Sequence, residues 1–199
     1  MKILLLGETT DKLNDCFASY GDKVVVFNDK LSSESEILNG CDFILSYGYR
    51  YIIDSKVINQ FPNKIVNLHI SYLPWNRGAD CNLWSFLDDT EKGVSIHHID
   101  EGLDTGKLIV QRHVKPMSND TLRTSYERLK NAIEGLLVEY WGDIRLSKLN
   151  GRLQSGVGSY HRVSDKNEVE HLLDHDWDTA VNNLKQKYQI FLESQKKSH

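Results

Sequence analysis

Four short apolar runs, Ile3 to Leu6, Lys23 to Phe27, Phe43 to Ser46 and Lys64 to His69, leave this chain few ways to fold. They are set apart by more polar segments of helical size, the alternation of a parallel sheet with crossover helices. The expected class is α/β: a Rossmann-like, mostly parallel twisted sheet with flanking helices. Gly93 to Ile99 and Leu108 to His113 read as two further strands, joined through the Gly102 to Gly106 loop. From Thr121 to about Leu146, Leu122, Tyr126, Leu129, Ile133, Leu136, Leu137, Tyr140 and Ile144 recur at helical intervals, which predicts a long helix packed on the sheet. Asp120, immediately before that run, is placed to cap it.

A chain of 199 residues can bury most of its apolar surface without staples. Residues 1–150 are expected to form a catalytic-sized unit. At Asn150-Gly151 the composition turns to Gly and Ser, so 151–199 is expected to be a short C-terminal extension. It reads as a loop or hairpin, then a terminal helix from about Trp177 to Leu192, with a disordered end from Gln195 to His199.

The chemistry concentrates between Val66 and Gln111. Asn67 and His69 stand two residues apart in a strand pattern, so both project from the same face. Pro74 and Gly78 then force a loop beyond the strand's carboxyl end, where open α/β sheets place ligands. Asp104 lies between Gly102 and Gly106, in a loop that can approach a ligand closely. Taken singly, Asn67 is a strand-end polar residue, His69 a half-buried histidine and Asp104 a turn former. The shared face and the flanking pattern favour a site.

Asn67-Leu68-His69-Ile70-Ser71-Tyr72-Leu73-Pro74, Arg77-Gly78-Ala79 and the run from Gly93 to Gly106 resemble the folate-dependent formyltransferase family. The resemblance implies formyl transfer from 10-formyltetrahydrofolate to a primary amine. It also implies roles: Asn67 donates a hydrogen bond to the formyl oxygen, His69 stabilises that oxygen as an imidazolium, and Asp104 pairs with His69 and helps move protons. Electrostatics agrees, since a carboxylate near an imidazole raises its pKa. The folate is expected between two loops, one carrying Tyr47, Gly48, Tyr49 and Arg50, the other Asp100, Gly102 and Leu103. The tyrosines read equally well as ordinary loop aromatics.

Within that family the chain is most similar to the nucleotide-linked amino-sugar N-formyltransferases. Trp75, Arg77, Gly78, Tyr160, His161 and Arg162 are the candidates for holding such an acceptor, although each can instead serve a turn or packing role. The purine enzymes acting on glycinamide ribonucleotide carry a Gly- and Ser-rich phosphate loop after the first strand; here Gly7 is followed by Glu8-Thr9-Thr10, and Glu8 repels phosphate. The methionyl-tRNA enzymes carry a further barrel domain for which 199 residues leave no room. A formyl-folate hydrolase and a non-catalytic protein that keeps the fold are the remaining alternatives.

A net charge of −4 with scattered Lys and Arg offers no stripe for a phosphate backbone, so no nucleic-acid partner is expected. Cys16, Cys41 and Cys81 are odd in number and form no Cys-x-x-Cys, which fits reduced core thiols in a cytoplasmic protein. The apolar run after Met1-Lys2 is too short for a leader or a membrane span. His97 and His98 are adjacent on a strand and point apart; His171 and His175 have helical spacing but no intervening Glu base, so no metal is expected. A homodimer using the extension and the Leu108 to His113 strand completes the reading.

Overall fold

Strand β1 (Lys2–Gly7) lies between β2 (Lys23–Phe27) and β3 (Phe43–Tyr47), and β4 (Ile65–His69) follows on β3, all four parallel. These come from a computed structural model that describes residues 1–197. A two-residue strand β5 (Arg77–Gly78) leaves the sheet, after which β6 (Gly93–His98) and β7 (Leu108–His113) add on antiparallel, giving the order β2-β1-β3-β4-β6-β7.

Side-chain alternation along the strands builds two cores. Ile3, Leu5, Phe43, Leu45, Val66 and Leu68 point to one face, where they meet α1 (Asp11–Ser19). Leu4, Leu6, Ile44 and Ile65 point to the other, under α2 (Ser55–Gln60). After α3 (Cys81–Leu87), the long α4 (Leu122–Ile144) covers the first face with Leu129, Ile133, Leu136, Leu137 and Ile144. Trp141, absent from the sequence-based stripe, is fully buried at its centre, edge-on to Phe17 and Phe43 with centroids 5.0 and 5.4 Å away. Its indole N–H donates to Asp22 Oδ2 at 3.0 Å, which leaves the only polar atom of that ring satisfied.

The cap of α4 is Thr121 and not Asp120. Thr121 Oγ1 accepts from the Thr124 N–H at 3.2 Å while Thr124 Oγ1 accepts from the Thr121 N–H at 3.0 Å. Asp120 is drawn away by Arg128, whose guanidinium meets both carboxylate oxygens, and by the Met117 N–H.

Beyond α4 the chain returns to the body. β8 (Tyr160–His161) pairs in parallel with β5, three-ten turns follow over Val163–Glu168, Glu170–Leu172 and Asp176–Asp178, and α5 (Val181–Lys197) packs on α3. Leu83, Trp84, Leu122, Leu172, Val181 and Leu184 form a third core. The terminal helix starts later than the sequence suggests because Trp177 lies in a three-ten turn and the buried Thr179 takes the His175 N–H. Gln195 to Lys197 are helical, not disordered; Ser198 and His199 lie outside the described residues. No helix among the described residues is long and apolar enough to cross a membrane.

Candidate active site

The antiparallel β4–β6 register sets Asn67 directly opposite His97, so an amide and an imidazole share one row and one face. The loop after β6 brings Asp104 across this pair. Asp104 Oδ1 is 3.3 Å from Asn67 Nδ2 and 3.4 Å from His97 Nε2, Oδ2 is 3.8 Å from His69 Nδ1, and Oδ2 also accepts the Gly78 N–H at 2.9 Å. Asp104 sits in the left-handed region, φ 53°, a conformation that Asp tolerates better than most residues. The structure thus brings Asn67, His69 and Asp104 together and adds His97, which sequence reasoning set aside as one of two divergent histidines. The strand pairing was the missing information: adjacent residues do point apart, but His97 faces the site and His98 does not.

The hydrogen bonds orient each ring. His69 Nε2–H donates to the Asn76 carbonyl at 3.2 Å, leaving the Nδ1 lone pair toward Asp104. His97 Nδ1–H donates to the His98 carbonyl at 2.8 Å, and its Nε2 lies 3.2 Å from Asn67 Nδ2. Asn76 can serve His69 because it is fully buried in the left-handed region, φ 53°, with its amide donating to Thr90 Oγ1 and its N–H to Ser159 Oγ. Beneath, Ser95 Oγ donates to the Ser71 carbonyl at 2.7 Å and accepts the Leu73 N–H, fixing the turn after β4.

Burial pushes the Asp104 carboxyl up, but the His69 and His97 imidazoles and the Gly78 N–H outweigh it and hold the group well below the usual carboxylate range. His69 departs from expectation. Burial lowers its pKa by more than the facing Asp104 raises it, and His97 lowers it further. Burial thus favours the neutral ring, against the imidazolium that a carboxylate neighbour alone suggests. Cys81, also buried near this charge, has its thiol pushed up to about 12 by burial and is inert.

A cleft of about 230 Å³ opens over this cluster, between Ser46–Ile53 on one side and Ile99–Asp104 on the other. Tyr49, Arg50, Asp100, Gly102 and Leu103 line it as expected of the two loops. Tyr49 is fastened, its hydroxyl donating to the Asp29 carbonyl and accepting from the Leu31 N–H. Asp100 shapes the opposite loop, since its Oδ1 accepts the Gly102 N–H and the Thr105 hydroxyl. Tyr47 is the correction: as the last residue of β3 it points into the core, 4% exposed, with its hydroxyl on the buried Glu134. Gly48 turns the chain away at φ 66° and faces Glu8 rather than the cleft.

The acceptor candidates divide. Gly78 touches Asp104 directly, and the Tyr160 ring covers it so closely that a Cβ there would lie 2.9 Å from the ring. Trp75 is half-buried in the turn, its carbonyl taking the Ser71 hydroxyl. Arg77 is bound through Nε and Nη2 to Gln154 Oε1. His161 stacks on Trp84 at 4.0 Å and bonds Asp88, and Arg162 is exposed. Gln154, which no motif marks, joins Arg77 to the Asp104 loop. His171 packs on Phe191, and no group of three metal-ligating side chains occurs among the described residues.

Comparisons with known proteins give this arrangement relatives. The formyltransferase PseJ from Anoxybacillus kamchatkensis, solved in complex with UDP-4,6-dideoxy-4-formamido-L-AltNAc and tetrahydrofolate, is 55% identical with a TM-score of 0.90, covering 92% of this chain and 97% of that one. A methionyl-tRNA formyltransferase of Prochlorococcus marinus is 32% identical over 134 residues, 64% of this chain and 41% of the relative. A dTDP-4-amino-4,6-dideoxyglucose formyltransferase of Mycobacterium bovis is 28% identical over 138 residues, 69% and 58% respectively. The chain thus spans about half the length of the curated relatives it matches. Residues 21–140 match the formyl transferase family model, and with β4, β6 and the Asp104 loop inside that span, the chain belongs to the formyl transferase family.

Proposed function

We propose that this protein transfers a formyl group from 10-formyltetrahydrofolate to the primary amine of a nucleotide-linked amino sugar. The observation that carries the reading is the ionised Asp104 held between His69 and His97 at the floor of a two-walled cleft. A flat ring fits between the Tyr49–Ile53 and Ile99–Leu103 walls, which offer backbone for its polar edge and Tyr49, Ile52 and Leu103 for its faces. Formyl-folate bound there supplies an electrophilic carbon.

The residues supply the rest. His69, neutral and anchored by Nε2–H, presents the Nδ1 lone pair that takes the proton an amine sheds as its nitrogen adds to the formyl carbon. The imidazolium so formed faces Asp104 and returns the proton to the departing folate nitrogen. Asn67 turns one amide N–H from His97 or Asp104 toward the formyl oxygen, where charge develops.

Similarity to PseJ over nearly the whole of both chains supports a nucleotide-sugar acceptor. Glu8 supports it from the other side: it closes β1 with a carboxylate paired to Lys130 at 2.5 Å, where a ribonucleotide phosphate would need donors. In this reading residues 1–150 form the catalytic domain and 151–199 an extension on the acceptor side. The protein works as a cytoplasmic homodimer, and its product serves cell-surface glycan such as lipopolysaccharide O-antigen.

The test is tetrahydrofolate release from 10-formyltetrahydrofolate with UDP- and dTDP-linked amino sugars, glycinamide ribonucleotide and a no-amine control. Turnover with an amino sugar is expected. Turnover only with glycinamide ribonucleotide, or without any amine, would overturn the assignment.

A further inference from the structure

A neutral imidazole carries one ring proton, and the hydrogen bond made by one nitrogen decides the state of the other. His69 is 7% exposed and stands between two acceptors, the Asn76 carbonyl 3.2 Å from Nε2 and the Asp104 carboxylate 3.8 Å from Nδ1. Both compete for a single proton. The carbonyl holds it only while it stays within hydrogen-bond range, a range the carboxylate already exceeds. Were the carbonyl to retreat, the proton would pass to Nδ1 to face the carboxylate, and the lone pair at that nitrogen would be lost.

Asn76 keeps its carbonyl in place with every other polar group it has. Its N–H donates to Ser159 Oγ at 2.8 Å, its Nδ2 donates to Thr90 Oγ1 at 2.7 Å, and its Oδ1 accepts from Ser159 Oγ at 3.2 Å. The Ser159 hydroxyl thus accepts from the main chain and donates to the side chain of one residue, closing a small ring around it. A fully buried amide costs solvation unless it is so paired. Ser159 is itself seated, although it lies 83 residues from Asn76 along the chain. Its N–H donates to the Pro74 carbonyl at 3.2 Å and its carbonyl accepts the Arg77 N–H at 3.0 Å, so the extension straddles the turn from Pro74 to Arg77. Gly158 permits the approach: at φ 66°, a Cβ there would lie 2.3 Å from the Pro74 carbonyl oxygen.

Resting on the proton-accepting role given to His69 above, we infer that Ser159 and Asn76 are positioning residues that fix His69 as the Nε2–H tautomer and so keep Nδ1 free for the amine's proton. Ser159 grips Asn76 from the extension, Thr90 grips it from the segment before β6, and the carbonyl they hold selects which ring nitrogen is the base. The extension is then a requirement of the chemistry as well as of the fold.

The experiment is proton–nitrogen NMR correlation of the imidazoles in the full chain carrying labelled histidine, above the pH at which His69 titrates, with its signals identified by their loss in His69→Gln. The natural chain should show Nε2–H. Ser159→Ala and Asn76→Gly, the second keeping a residue at ease at positive φ, should move the population toward Nδ1–H and lower kcat about a hundredfold. Ser159→Thr, which keeps the hydroxyl, should restore both readings. Tetrahydrofolate affinity and the signals of the other histidines should stay nearly unchanged, which separates a lost tautomer from a lost fold. An Nε2–H signal that persists in Ser159→Ala and Asn76→Gly would overturn the inference whatever happens to turnover, as would an Nδ1–H signal in the natural chain. A moved tautomer with unmoved kcat would uphold the tautomer assignment and overturn the proton-accepting role of Nδ1, so the two fail separately.

Discussion

Gln154 donates its side-chain amide to the main-chain carbonyl of Asp104 at 2.7 Å, and again to that of Gly106 at 2.9 Å. A residue from the extension thereby pins the carboxylate's loop at Asp104 itself and at Gly106 while its own oxygen is held by Arg77. Gln154→Ala should lower kcat about tenfold by letting Asp104 drift. The melting temperature should move little, because each of these part-exposed bonds contributes only about 1 kcal/mol. Steady-state kinetics beside a thermal melt check this, and parallel losses in both would assign Gln154 to stability instead.

His97 is a positioning residue with its own signature. Removing it frees Asn67 and Asp104 on one side and lifts its depressing effect on the His69 pKa. His97→Ala should therefore reduce kcat about tenfold with folate KM little changed. The acid limb of the pH–rate profile should shift upward. A lower kcat on an unmoved limb would mean that His97 acts only by packing.

The same electrostatics fixes how stability follows pH. His69 has a folded pKa below its ordinary 6.5, so the unfolded chain takes up the proton first. Its contribution is whole above pH 6.5 and is lost as pH falls toward the folded value. Asp104, also depressed, contributes fully above its ordinary 3.8 and loses that only at more acid pH. Urea unfolding at a series of pH values should show a decline just below pH 6.5 that His69→Gln flattens. An unchanged slope in the variant would refute the depressed pKa.

Gly106→Ala tests the loop's closeness to the sheet. A Cβ at 106 would fall 1.8 Å from the His98 carbonyl oxygen, which is backbone and cannot swing aside. The substitution should cost about 1–3 kcal/mol and remove most activity through displacement of Asp104. Full activity in a correctly folded variant would show that the loop tolerates the shift.

Far from the cleft, Trp141→Ala should destabilise the chain by about 3–5 kcal/mol, since it empties the contact between Phe17 and Phe43 and strips Asp22 of a donor. Chemical denaturation measures it, and a loss under 1 kcal/mol would deny Trp141 its central place.

What could be read from residues alone follows from the range of the forces involved. Strand and helix spans are set by local periodicity, so β1 to β4, β6, β7 and α4 were legible, as was the shared face of Asn67 and His69, whereas the two-residue β5 was hidden in what reads as a loop. Thr121 displaced Asp120 as cap because Arg128 competes for that carboxylate, a contest invisible without the fold. Tyr47 misled because a tyrosine at a strand end can face either way. His97 and Gln154 were hidden for a common reason: one enters through strand register and the other by return of the chain from the extension. The resting charge of His69 depends on how deeply it is buried, which spacing does not report.

The pairing of β4 with β6 has a consequence for how the molecule comes into being. Asn67 meets His97 across 30 residues and Asp104 across 37, while Gln154 closes on Asp104 across 50. Each contact requires a loop to be closed before it repays the ordering. No short peptide cut from this chain can hold the cluster. During refolding, competence should return after collapse and after the helical signal, so recovered turnover is a late clock for completed topology.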